Sequence, residues 1–122
     1  MLCDAAPAED AAPPIDPEVA ADGLDEHVCV LAPRWLRRHP GDWAGETLHL
    51  HRVDGDGEWL VRLGPGGEAE VTRAHGKGDV ALRGDAAALW LWATNRAPLD
   101  ALGIEQFGDA SVAARWTAQM GF

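Results

Sequence analysis

Leu24, Val28, Leu31 and Trp35 recur at spacings of four, three and four, which traces one face of a helix. IDPE at 15–18 reads as its start. Asp16 can accept from orphan backbone N–H groups, Pro17 suits the first helical position, and Glu18 sits at the positive dipole end. Pro33 is expected to end or kink this helix near Ala32. From Thr47 the period changes to two, with Leu48 and Leu50 on one face and Thr47, His49, His51 and Val53 on the other. The β-type runs WLVRL, EAEVTRA and DVALRG follow, set off by DGDG at 54–57, GPGG at 64–67 and HGKG at 75–78. Short strands between glycine-rich turns predict an antiparallel meander of four strands, each pairing with the next.

Asp85 can cap a second helix carrying Leu89, Trp90 and Ala93 at helical spacing and stopping before Pro98. IEQFGD at 104–109 reads as a fifth strand, and Val112, Ala113, Trp116 and Met120 describe a last amphipathic helix. The expected class is therefore α+β, an antiparallel sheet of four to five strands flanked by helices. Residues 15–122 form the expected single domain, behind an Ala, Pro and acidic segment at 1–14 read as a disordered linker or arm.

The 122 residues carry a formal charge of −10 with one lysine, Lys77, and no long basic run, which argues against nucleic-acid binding. No apolar run approaches the roughly 20 residues needed to span a bilayer, and the N-terminus lacks a basic and apolar leader, so a cytoplasmic location is expected. Cys3 and Cys29 read as free thiols. Ser111 is the only serine and no G-x-S-x-G is present, which removes serine hydrolysis. Cys29 lies two residues from His27, a spacing that turns the two apart on a helix. GPGG and GKG complete neither phosphate-binding fingerprint.

His49 and His51 share a strand face and suit zinc, nickel or copper, but a closed zinc site uses four protein ligands and a catalytic one three. His75 lies in a later turn that nothing in the spacing brings near. Two strand histidines without a metal are the preferred reading, with His49 and His51 as a metal pair the weaker alternative. Asp54, Asp56 and Glu58 in DGDGE miss the calcium-loop spacing, because Trp59 stands where glycine is needed; Asp-Gly turn chemistry accounts for them. Trp90 and Trp92 point about 200° apart on an ideal helix, so one of them is expected to line a pocket or interface. Trp35, Trp43 and Trp92 are the candidates for such a surface. Arg83 and Arg96, at the ends of the fourth strand and second helix, could hold a carboxylate bidentately, although surface ion pairs in an acidic protein explain each as well.

Taken in order, IDPEVAADGLDE, LHLHRVDGDGEWLVRLGPGG, HGKGDVALRGDAAALWLWATNR and IEQFGDASVAARW resemble the C-terminal domain of the mycothiol-dependent maleylpyruvate isomerase family, from about Ile15 to the end. The resemblance implies a sterol-carrier-like α+β fold packed beside an N-terminal helical bundle that holds a divalent metal. The segment before Ile15 is too short to form that bundle, so the family's metal ligands have no counterparts in this sequence. The resemblance thus implies an accessory domain, not catalytic alone, binding no cofactor by itself. Divalent metal and mycothiol belong to the full architecture, and a metal-binding bundle in trans is the implied partner. Arg83 or Arg96 would meet an anionic substrate or thiol cofactor. A stand-alone module for a small apolar ligand is the alternative.

Overall fold

The computed structural model describes residues 15–121; the predicted arm at 1–14 and Cys3 lie outside them. The first helix, α1 (Pro17–Glu26), starts as its sequence dictates, with Asp16 accepting from the N–H groups of Glu18 and Val19. Pro33 does not end the helical path. A π-turn, His27–Leu31, leads straight into α2 (Ala32–Arg38), with Pro33 in the first turn of α2. Within the wide turn the Ala32 N–H donates to the His27 carbonyl five residues back, so the helical path continues up to a proline that has no N–H to give. It also rotates the buried face, which continues from Leu24 and Val28 to Ala32 and Leu36, leaving the expected Leu31 exposed.

Five strands follow: β1 (Glu46–Arg52), β2 (Glu58–Leu63), β3 (Ala69–Thr72), β4 (Val80–Gly84) and β5 (Glu105–Gly108). Their order is β3-β2-β1-β4-β5. This corrects the meander. β4 does not pair with β3; it runs parallel beside β1, with Leu48 opposite Val80 and Leu50 opposite Leu82, while the other three pairings are antiparallel. The sheet is therefore mixed, and residues 73–79 cross its face from β3 to β4, the row Thr72, Leu60, His49, Ala81 setting the end of one level with the start of the other. A parallel pair cannot be closed by a tight turn.

α3 (Ala86–Ala93), capped by Asp85, and α4 (Ala110–Gln119), capped by Asp109, complete the helical layer. Leu48, Leu50, Trp59, Val61, Leu63 and Leu82 point into it from the sheet and join Leu24, Leu36, Leu89, Trp92 and Trp116 in one core. Trp92 and Trp116 stack at 5.9 Å between ring centroids and fill its centre. Trp90 instead lies against α1, where Gly23 leaves the space its ring occupies. The opposite sheet face carries Thr47, His49, His51, Leu60, Arg62, Ala81 and Arg83, alternating with the core set. The sheet thus has one helix-covered face and one without helices.

Candidate functional site

Two places gather functional side chains, one on each face of the sheet. On the helical side, α3 ends in an abrupt turn. Asn95 adopts φ 60°, a left-handed conformation Asn tolerates better than most residues. Its amide donates to the carbonyls of Thr117 (3.1 Å) and Met120 (2.7 Å), fastening the end of α3 to the end of α4. The chain then swings through Pro98 and a 3-10 turn, Leu99–Ala101, into β5. Between these elements lies an open groove of about 570 Å³, walled by Trp92, Ala97, Pro98, Leu99, Ala110 and Ala113, with Arg96 and Gln106 also lining it.

Arg96 is exposed, and among the described residues its guanidinium has no hydrogen-bond or ion-pair partner. Arg83, the other candidate, points to the helix-free face and bonds Glu105 through Nη1 at 3.2 Å. The two arginines are therefore separated by the sheet and cannot share a ligand. Of the three candidate tryptophans, Trp43 and Trp92 are buried at 3% and 2% exposure, so neither presents a docking surface. Trp92 contributes one groove wall, whereas Trp43 lies under the Arg115 guanidinium at 4.2 Å. Trp35 is half-buried, stacked on His39 at 3.9 Å, and donates to the Gln119 carbonyl. Among the described residues, the large apolar side chains that do face solvent are Val19, Val30, Leu31, Val53 and Phe107.

Cys29 is no nucleophile in waiting. Burial, with the nearby Asp25 carboxylate, pushes its thiol upward, and its sulfur bonds Asp25 at 3.6 Å. His27 is buried and its charge is disfavoured by burial. The DGDG turn also has a structural occupant. Arg52 folds beneath it, donating to Asp54, to the Asp56 carbonyl and across to Glu18 in α1. A guanidinium thus engages the turn's own oxygens, Asp54 Oδ1 and the Asp56 carbonyl.

On the helix-free face, β1 presents His49 and His51, and the antiparallel register sets Glu58 of β2 directly opposite His51. His75 reaches them from the 73–79 segment, so that His49, His51, Glu58 and His75 form one cluster. The hydrogen bond from His75 is the largest influence holding the Glu58 carboxyl below its usual value. Glu58 was legible once DGDG is taken as the hairpin turn, because the pairing then follows by counting. His75 was not, since its approach depends on the β1–β4 pairing.

The MDMPI C-terminal domain model matches residues 18–115 of the chain. A solved UbiJ-SCP2 ubiquinone synthesis protein superposes with a TM-score of 0.59 at 17% identity, covering 88% of this chain and 93% of the other. The sec-alkylsulfatase of a Pseudomonas species gives 0.57 at 14% identity, 88% of this chain matching 17% of that one. Palmitated SCP2L2 from Aedes aegypti gives 0.52 at 21%, covering 80% and 90% respectively. At these identities the likeness is one of fold, the sterol-carrier type. No curated protein sequence matches the chain.

Proposed function

The chain belongs to the MDMPI C-terminal domain family, and from that premise we propose that it is an accessory domain of a mycothiol-dependent isomerase or transferase system. In this reading its groove presents Arg96 to the carboxylate of a small organic anion. The observation that supports this is the pairing of a mainly apolar groove with one guanidinium that has no partner among the described residues. Such a site grips the apolar body of a ligand by its walls and orients the anionic end through a bidentate contact. Chemistry on the bound molecule falls to a partner domain, a metal-binding helical bundle in trans.

The helices of this chain do not fit the family's bundle metal. Among the described residues, the single group of histidines and carboxylates able to converge on an ion lies on the sheet. Arg96 and Gln106 are the groove side chains whose polar groups lack a described partner, too few to hold a polar thiol cofactor alone. Mycothiol would therefore need groups from the partner.

A second reading, a carrier of small apolar ligands, draws on the same groove walls and the sterol-carrier fold. The Trp92–Trp116 stack closes the core behind the groove, which limits such a ligand to what the groove itself holds. Titrations with short aromatic or unsaturated carboxylates and with medium-chain alcohols, read by tryptophan fluorescence, separate the two. Arg96→Met is expected to weaken carboxylate binding at least about tenfold, the loss of a charge-assisted hydrogen bond, while Arg83→Ala leaves it unchanged. Alcohol binding with no preference for carboxylates, and indifference to Arg96→Met, would replace the first reading by the second.

A further inference from the structure

We infer that His49, His51, Glu58 and His75 form a binding site for one divalent transition-metal ion of the zinc class. This site is independent of the Arg96 groove, because it sits on the other face of the sheet. His75 Nδ1, His49 Nε2 and His51 Nδ1 stand 2.8, 2.9 and 3.3 Å from one and the same oxygen, Glu58 Oε1. One ligand atom from each of the four residues lies within 4.8 Å of the other three. Tetrahedral zinc with bonds of about 2.0–2.1 Å places its ligand atoms about 3.3 Å apart. The three nitrogen–oxygen edges are already close to that length. Only nitrogen–nitrogen edges must contract, by at most about 1.5 Å on the same geometry. His75 is the ligand with room to move, its side chain being 78% exposed, whereas His49, at 8%, is the fixed corner.

Hydrogen bonding accounts for part of this convergence: His49 and His75 each bond Glu58 Oε1, which has about two lone pairs to offer, whereas His51 Nδ1 stands 3.3 Å away without a hydrogen bond. A cation reverses the roles, since each ring then directs a nitrogen lone pair at a common centre. The ring planes fit that arrangement: His49 lies at 88° to His51 and 89° to His75, so the rings radiate and do not stack. No guanidinium competes, because Arg83, in register with His51, is turned to Glu105.

The segment that delivers His75 is built to lie on the sheet. A side chain at Gly78 would stand 2.9 Å from the Val80 carbonyl and 3.0 Å from the backbone nitrogen of His49, and one at Gly76 would meet Leu60 at 2.7 Å. Its end is pinned where Asp79 and Thr47 exchange bonds, Thr47 N to Asp79 Oδ2 at 2.9 Å and Asp79 N to Thr47 Oγ1 at 2.8 Å. Three imidazoles select zinc, cobalt, nickel or copper over calcium and magnesium. With four protein ligands the coordination sphere is closed, so the ion clamps the 73–79 segment to β1 and β2 and activates no water.

The test is calorimetric titration of the full chain, free of any affinity tag and stripped with chelator, using zinc chloride, followed by cobalt(II) spectroscopy. One ion should bind with a Kd at or below about 1 µM, and cobalt should show the strong visible bands of four-coordination. His75→Ala, at an exposed position that folding does not need, and Glu58→Gln should each weaken binding by about a hundredfold or more. His39→Ala, remote from the cluster, should not. Absence of binding, a six-coordinate cobalt spectrum, or affinity untouched by His75→Ala would overturn the site.

Discussion

Gly55→Ala is a substitution whose sign the structure decides. Gly55 is not among the positive-φ glycines, so alanine meets no backbone strain there. On that ground alone it should stabilise by about 0.4–1 kcal/mol through the unfolded chain. Its new Cβ, however, would stand 2.6 Å from Cζ and Nη2 of Arg52. A free guanidinium would swing aside at no cost, but the Arg52 side chain is 2% exposed and held by three acceptors. Glu18 is well solvated and contributes little. Losing the less exposed Asp54 and Asp56 bonds costs about 1.5–3 kcal/mol, which leaves a net destabilisation of about 1–2 kcal/mol. Urea unfolding read by tryptophan fluorescence would show it as a lower midpoint at unchanged slope. In an Arg52→Ala background the same change should be neutral or stabilising. A stabilising Gly55→Ala, or a cost that survives the removal of Arg52, would refute the account.

Two further predictions rest on α1. Asp25 is pulled down from 3.8 to about 2, chiefly by the Arg73 hydrogen bond, with help from Trp59. A folded-state value below the unfolded one means that its stabilisation is full above about pH 4 and is lost as pH falls towards 2, an effect of about 1 kcal/mol after solvent screening. Acid unfolding of Asp25→Asn should start from lower stability and show a shallower decline over that window. Gly23→Ala, which in an ordinary helix gains up to about 1 kcal/mol, should here cost about 1–3 kcal/mol because the Trp90 ring fills the space. Thermal unfolding checks it, and Trp90→Leu should rescue it.

Capping at Asp16 and Asp85 and the amphipathic face of α4 were legible because each depends on residues within a turn or two. The path through Pro33 was not. A π-turn leaves no period of its own in so short a segment, and its effect is a rotation of the buried face from Leu31 to Ala32. Pairing of β1 with β4 was equally hidden, since glycine-rich turns announce a reversal without saying which strand receives the next. The cluster inherits that gap: His49, His51 and Glu58 follow from one hairpin register, whereas His75 needs a long-range pairing to bring it home. Arg96 could be named from sequence, but its freedom to bind could not, because that rests on which acidic side chains fail to reach it.

The parallel pair at the centre of the sheet divides the chain into two locally wired halves. β1, β2 and β3 close on one another through short turns, while β4, α3, β5 and α4 follow in close succession, and the two meet along β1–β4. The connecting residues 73–79 can span about 23 Å fully extended, against three strand spacings of about 14 Å in all, because Thr72 and Ala81 lie in one row through Leu60 and His49. Leu48 and Val80 are paired across 32 residues of sequence, so the seam is expected to form after the nearby contacts of each half, a separation that slows folding. Severing the chain within this strap would leave two fragments whose reassembly draws on the β1–β4 seam and on the packing of α3 against α1, a natural division for a reporter that reads when two fused partners meet.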